Sequence, residues 1–410
     1  MLNLNLGQEL MQRLDTLGRC TEEGPGLTRR PFTKEHHEAL TVIRGWMEKA
    51  GLDISLDAAG TLIGRKEGPL GSKTLLMGSH QDSIKNGGQY DGMFGIALPI
   101  IVLEQLKDKQ LPFGVEVLAF ADEEGVRFPT ALMGPRVLAG TFDMACLELV
   151  DKDGIKLKDT LSDFGGDPSA LKDCKRSSED VLGFLEVHIE QGPVLENAGK
   201  AVGVVTAICG IERWSVTLTG QAAHAGTTPM TLRRDAFAGA AEIAIMLESN
   251  CKKAENIVGV IGNINVFPNV VNAIPGCAEF SIELRAGVDE SRTAVAKDVE
   301  KAIREIAHRR DLGCKIVKNY SQKAVPCDND LMQLLNKAVK TIDDSPMHLM
   351  SGATHDASAM SDLCPVAMLF TRCTNGLSHH PDEAITADDC YQSIQAMHAF
   401  ITNFKGINIS

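Results

Sequence analysis

The chain has 410 residues, more than one compact core usually holds and about the size of two domains. An apolar fraction of 44% and a charged fraction of 23% are ordinary for a globular protein. The formal net charge of -13 argues against nucleic acid or an anionic membrane as partner, because both require basic patches.

Residues 1–14 alternate apolar and polar side chains and lack the basic start and apolar core of a leader. No apolar run approaches the roughly 20 residues needed to cross a bilayer. The eleven cysteines are scattered, with no CxxC pair. Such a set fits reduced thiols and a cytoplasmic protein better than a disulfide framework.

A helical pattern covers Lys34 to Ala50. Strands are expected at Thr74–Gly78 and Val115–Ala121, with a helix from Ile96 to Lys107 between them. Alternating elements of this kind imply an α/β layer fold with a largely parallel sheet. Asp143 to Ser178 is polar and rich in Gly, Asp and Lys, which predicts a surface excursion. The character changes near Gly210. A strand over Trp214–Thr219, a helix over Arg234–Leu247, strands over Ile257–Phe267 and Ala278–Arg285, a helix over Ser291–His308 and a strand over Lys315–Asn319 follow. The order β-α-β-β-α-β is the split βαβ arrangement. It predicts an inserted domain at 213–325, flanked by one domain made of 1–212 and 326–410. The latter resumes with Pro365–Thr371 as its strand.

Chemistry concentrates at five places: Gly78-Ser-His80-Gln-Asp82-Ser with Gly87-Gly-Gln-Tyr-Asp91-Gly; Asp122-Glu123-Glu124-Gly125; His188-Ile-Glu-Gln191-Gly; Ser378-His379-His380-Pro381; and His224-Ala-Gly-Thr-Thr-Pro229. Taken singly, each is ordinary. His80 alone is more often a surface or structural histidine. Glu123-Glu124 alone is a solvated helix start, and His355 a helix cap. Jointly they place imidazoles and acids at strand ends of an α/β chain, where ligands bind. Asp82, two residues from His80, is expected to accept that ring's second N–H. Three carboxylates (Asp91, Glu123, Glu124) and three histidines (His80, His188, His379) suggest two metal ions, with Asp91 the best candidate to bridge them. Mixed N/O donors fit Zn²⁺, with Mn²⁺, Co²⁺ or Ni²⁺ as substitutes. The chemistry such a site supports is hydrolysis of an amide-like bond, with a free carboxylate moving the proton and a polar side chain holding the oxyanion.

The segments GSHQDS, GGQYDG, DEEGVRF, HIEQGPVLE, HAGTTPM-x-x-RRDA, VNAIPG and SHHP occur in one order along the chain. In that order they resemble the dimetal amidohydrolases that include allantoate amidohydrolase, N-carbamoyl-L-amino acid hydrolase and β-ureidopropionase. These are relatives of the aminoacylase and dipeptidase zinc exopeptidases. The resemblance implies a zinc-exopeptidase-like catalytic domain with a mixed central sheet, and an inserted ferredoxin-like α+β domain that serves as dimerisation surface and lid. It implies His80, Asp91, Glu124, His188 and His379 as metal ligands, Glu123 as general base, and Asp82 as the acid behind His80. His224 would reach the other subunit's site to hold the oxyanion. Asn272 and Arg285 match substrate-binding positions, Arg285 as a fork for a substrate carboxylate. Gln191 and His355 would line the same pocket.

Three departures bear on substrate: Ser83 where relatives have Thr, Gly210-Ile-Glu-Arg213 where they have a Gly-Gln-Arg-Arg type, and Thr354 where they have Gly. The activity implied is cleavage of a small N-carbamoyl amino acid or allantoate by a cytoplasmic homodimer, releasing ammonia and CO₂. His188 favours this over the aminoacylase or dipeptidase alternative, where that ligand is usually a carboxylate. A non-catalytic metal-binding relative is the other alternative, and a retained Glu123 argues against it.

Overall fold

The structure is a computed structural model and describes residues 2–405. The described chain divides into two compact units, residues 2–206, 327–349 and 353–405 forming the first, and 207–326 with 350–352 the second.

The first unit is built on a mixed sheet. Its spatial order is Asp53–Leu56, Leu62–Lys66, Gly114–Phe120, Thr74–His80, Val181–Ile189, Val366–Thr371, Val202–Ile208. The four middle strands are mutually parallel. The flanking pairs are antiparallel. Every residue of Thr74–His80, Gly114–Phe120, Val181–Ile189 and Val366–Thr371 is buried. Parallel strands covered on both faces read as continuous apolar runs rather than alternations, which is why Thr74–Met77 is legible in the sequence. The helix Met93–Gln105 is buried around its whole girth as far as Leu103. It packs between the sheet and the helices Leu6–Gly18 and Ala387–Asn403.

The chain passes from Thr74–His80 to Gly114–Phe120 on one side, then to Val181–Ile189 on the other. Such a reversal opens a crevice beyond the carboxyl ends of the strands. His80 ends the first strand, Asp122–Glu124 follow the second, and His188 stands one residue before the end of the third.

The stretch 143–178 is mostly exposed, as expected of a surface excursion, but it is ordered and anchored. It contains the helix Leu157–Phe164. Leu157, Leu161 and Leu171 are buried with Phe32, Ala59, Phe128, Met133 and Val137 in a separate hydrophobic cluster. Three leucines among many polar residues are enough to anchor the segment.

The second unit is an antiparallel sheet in the order Ile264–Phe267, Cys277–Ala286, Gly210–Thr219, Gly313–Gln322, with Ile257–Val260 also paired to Cys277–Ala286. Helices Ala236–Lys253 and Asp289–Arg309 contribute Ile243, Leu247, Val299 and Ile303 to a core with Trp214, Val216 and Leu218. Alternate residues of Gly210–Thr219 face that core, the pattern of a sheet covered on one side. The stretch expected as one strand over 257–267 is two, Ile257–Val260 and Ile264–Phe267. All eleven cysteines are free. Among the described residues no helix is long and apolar enough to cross a membrane.

Candidate metal centre

His80 and His188 stand at the carboxyl ends of two parallel strands, and their Nε2 atoms point at one carboxylate oxygen. Nδ1 of His80 lies 3.0 Å from the carbonyl of Asp82, and Nδ1 of His188 lies 2.9 Å from that of Ile189. A carbonyl only accepts, so each Nδ1 carries a proton and Nε2 is the nitrogen turned toward Asp91. The Gly92 N–H also faces His188 Nε2, at 3.2 Å. Nε2 of His80 and of His188 lie 3.6 and 3.1 Å from Asp91 Oδ1. Nε2 of His379 lies 3.1 Å from the other oxygen, Asp91 Oδ2, and 3.5 Å from Glu124 Oε1.

Two groups of donors therefore share Asp91, His80–Asp91–His188 and Asp91–Glu124–His379, each with its ligand atoms within 4.8 Å of one another. Asp91 belongs to both and offers one oxygen to each. Gly92, at φ 72°, lets the chain turn there; a Cβ would sit 2.4 Å from the His80 ring.

The acids around this point resist ionising together. Burial raises the Asp91 carboxyl, but His188, His379 and His80 outweigh burial and hold it well below the usual range. Glu123 goes the other way. Burial pushes it well above the usual range, His80 opposes, and Glu124, Asp356 and Asp82 add to the rise. Glu124 is raised to about 7, by burial and then by the charge of Asp91. His379 is raised to about 9, chiefly by its hydrogen bond to Asp91. Crowded carboxylates with convergent imidazoles are a setting whose repulsion a divalent cation relieves. The donor set and its charge fit such an ion.

Asp82 differs from expectation. Its carboxylate lies 3.6 Å from His80 Nδ1, while its backbone carbonyl takes the closer place. The carboxylate instead accepts the backbone N–H groups of Glu123 (3.1 Å) and Glu124 (3.2 Å). Asp82 thus fixes the turn that carries both glutamates.

Gln191 and His379 both adopt left-handed backbone, at φ 59° and 56°. Such non-glycine conformations persist only where the surroundings over-determine them. Gln191 donates from Nε2 to Asp91 Oδ2 at 3.1 Å and to Ser378 Oγ at 3.3 Å. His355 packs edge-on against His188, ring centroids 4.5 Å apart. Burial and the neighbouring His188 hold its pKa well below the usual imidazole value.

Two acids here, Glu186 and Glu383, have no counterpart among the sequence candidates, and Ser378 stood in the SHHP segment without a role. Glu186 is buried, accepts from Ser79 Oγ (2.7 Å) and the Ala357 N–H (2.9 Å), and groups with His188 and His355. Ser378 and Glu383 flank His379. The signal for Glu383 was an acid shortly after paired histidines; for Glu186, an acid inside a core strand.

In the second unit, His224 lies on the short strand Ala223–His224, paired with Ala273–Ile274. Asn272 is its neighbour there, its carbonyl accepting the Ala225 N–H. His224 and Asn272 are both exposed. Arg285 is on the longer strand Cys277–Ala286, donating to Glu283 Oε1 and to the Gly352 carbonyl, each at 2.6 Å.

A parallel-centred sheet whose strand ends converge on one shared aspartate defines a candidate centre for divalent metal. The chain belongs to peptidase family M20/M25/M40, matched over residues 75–403. It is 38% identical to an N-carbamoyl-L-amino acid amidohydrolase of Geobacillus stearothermophilus, over 96% of this chain and 97% of that one. It is also 38% identical to an allantoate deiminase of Arabidopsis thaliana, covering 94% of this chain and 80% of that one. A solved hydantoinase/carbamoylase family amidase from Burkholderia multivorans superposes with a TM-score of 0.90 at 29% identity, covering 97% of each chain.

Proposed function

We propose that the protein is a metal-dependent amidohydrolase that cleaves the carbamoyl C–N bond of a small ureido acid, an N-carbamoyl amino acid or allantoate, releasing ammonia and CO₂. The observation that carries this reading is Asp91, which presents one oxygen to each of two imidazole-containing donor groups. The names of the relatives, carbamoyl amino acid and allantoate hydrolases, support the substrate class.

His80, His188 and Asp91 would hold one cation, and Asp91, Glu124 and His379 the other; nitrogen and oxygen donors of this kind suit Zn²⁺ or Mn²⁺. Such a pair supplies Lewis acidity toward the carbamoyl oxygen and acidifies water. Glu123 takes the proton of the attacking water and returns it to the departing nitrogen. Asp82 positions Glu123 through its backbone. The partner subunit's His224 stabilises the oxyanion, Arg285 and Asn272 hold the substrate's acid end, and Gln191 and His355 line the pocket. This requires a homodimer formed by the second unit. Eleven free thiols suit a reducing compartment such as the cytoplasm.

Metal-loaded protein is expected to release ammonia from N-carbamoyl-L-amino acids, N-carbamoyl-β-alanine or allantoate, at a rate a chelator abolishes. Amine release from N-acetyl amino acids alone would replace this reading with an aminoacylase.

A further inference from the structure

We infer that Glu383 is a positioning residue that braces the loops of two proposed metal ligands, Asp91 and His379, and so sets the affinity of the centre. The inference rests on the proposed metal centre. Glu383 Oε1 accepts the backbone N–H groups of Tyr90 (2.9 Å) and Asp91 (3.1 Å). Its Oε2 accepts the hydroxyl of Ser378 at 2.8 Å. One buried carboxylate therefore ties together two loops almost three hundred residues apart in sequence. Both its oxygens are committed to these donors, so it braces the centre rather than joining it.

Two further observations fit this role. His379 holds a left-handed backbone, φ 56°, directly beside the tethered Ser378, a conformation that needs outside support. Gly88 lies where the carboxylate passes. A Cβ there would stand 2.3 Å from the carboxyl carbon of Glu383, and Gly88 is not one of the glycines at positive φ. Glycine at 88 thus makes room for Glu383 rather than for a turn.

The brace acts through distance. Asp91 Oδ2 and His379 Nε2 stand 3.1 Å apart because each loop is held. Without Glu383 the two ligands lose their common reference, and a cation must order them itself. Outer partners of metal ligands typically change affinity by about 10- to 100-fold.

The experiment measures Zn²⁺ affinity by competition with a chromophoric chelator, alongside melting of the metal-stripped protein. Wild type, Glu383→Ala, Glu383→Gln, Gly88→Ala and the Gly88→Ala/Glu383→Ala double variant are compared. Glu383→Ala is expected to weaken one binding step by about 10- to 100-fold, with the metal-stripped melting point close to wild type. Glu383→Gln should recover most of the loss, because its amide oxygen accepts from the two N–H groups and its NH₂ donates to Ser378. Gly88→Ala should match Glu383→Ala, and the double variant should be no worse than Glu383→Ala. Unchanged affinity in both Glu383→Ala and Gly88→Ala, or a loss confined to the melting point, would overturn the inference. Absence of Zn²⁺ binding by wild type would instead overturn the metal centre beneath it.

Discussion

Glu123→Gln is expected to keep the full metal complement and to lose carbamoyl hydrolysis by about 100- to 10,000-fold, the range for a removed general base. The two parts of this expectation have separate causes. The backbone of Glu123 is held by Asp82 Oδ1 and that of Glu124 by Asp82 Oδ2. An amide at 123 leaves both contacts intact, and Glu124 stays beside His379. What the amide cannot do is accept a proton. Metal analysis and ammonia release on the same sample check the pair of outcomes. Turnover within a few-fold of wild type would remove Glu123 as the base. Loss of metal with loss of turnover would make it a ligand or a structural residue instead.

His224→Ala is expected to lower kcat by about 100- to 1,000-fold, the usual cost of losing one oxyanion donor. His224 is exposed on the ribbon Ala223–His224, and its Nδ1 is engaged by the Gly226 N–H at 3.1 Å. Nε2 is thereby the nitrogen left to donate. If it acts in the partner's site, His224→Ala mixed with inactive Asp91→Ala should regain activity after subunit exchange. The mixed dimer pairs an intact metal centre with an intact His224. Inactive mixtures from demonstrably exchanged subunits would place His224 in its own subunit's site or outside the reaction.

The sequence disclosed the candidate ligands because glycines and acids at strand ends are costly to place without a use. Asp91 between Gly88 and Gly92 is the clearest case. The structure gives each glycine a neighbour, Glu383 for Gly88 and the His80 ring for Gly92. The strand Val181–Ile189 was harder to see. It is buried throughout yet carries Glu186 and His188, which break the apolar run that marks a core strand. The hairpin Asp53–Leu56 and Leu62–Lys66 is short, and its first strand is partly exposed. The helix Leu6–Gly18 hides in a stretch that reads as a short alternation of apolar and polar side chains. The hydrogen bonds of Asp82 depend on residues 122–124 arriving from another strand, which local pattern does not encode. The buried leucines of 157–171 show the same limit: tertiary packing chose their side.

A hydrolytic centre built around a shared Asp91 would depend on its metal for every turnover. The measurement that tests it most directly is a titration of metal-stripped protein with Mn²⁺ or Zn²⁺, following ammonia release from the best ureido substrate against bound metal. No turnover is expected without metal, and the rate should reach its plateau only when both donor groups are filled, at two ions per subunit. Full turnover by the chelated protein, or a plateau at a single ion, would contradict it.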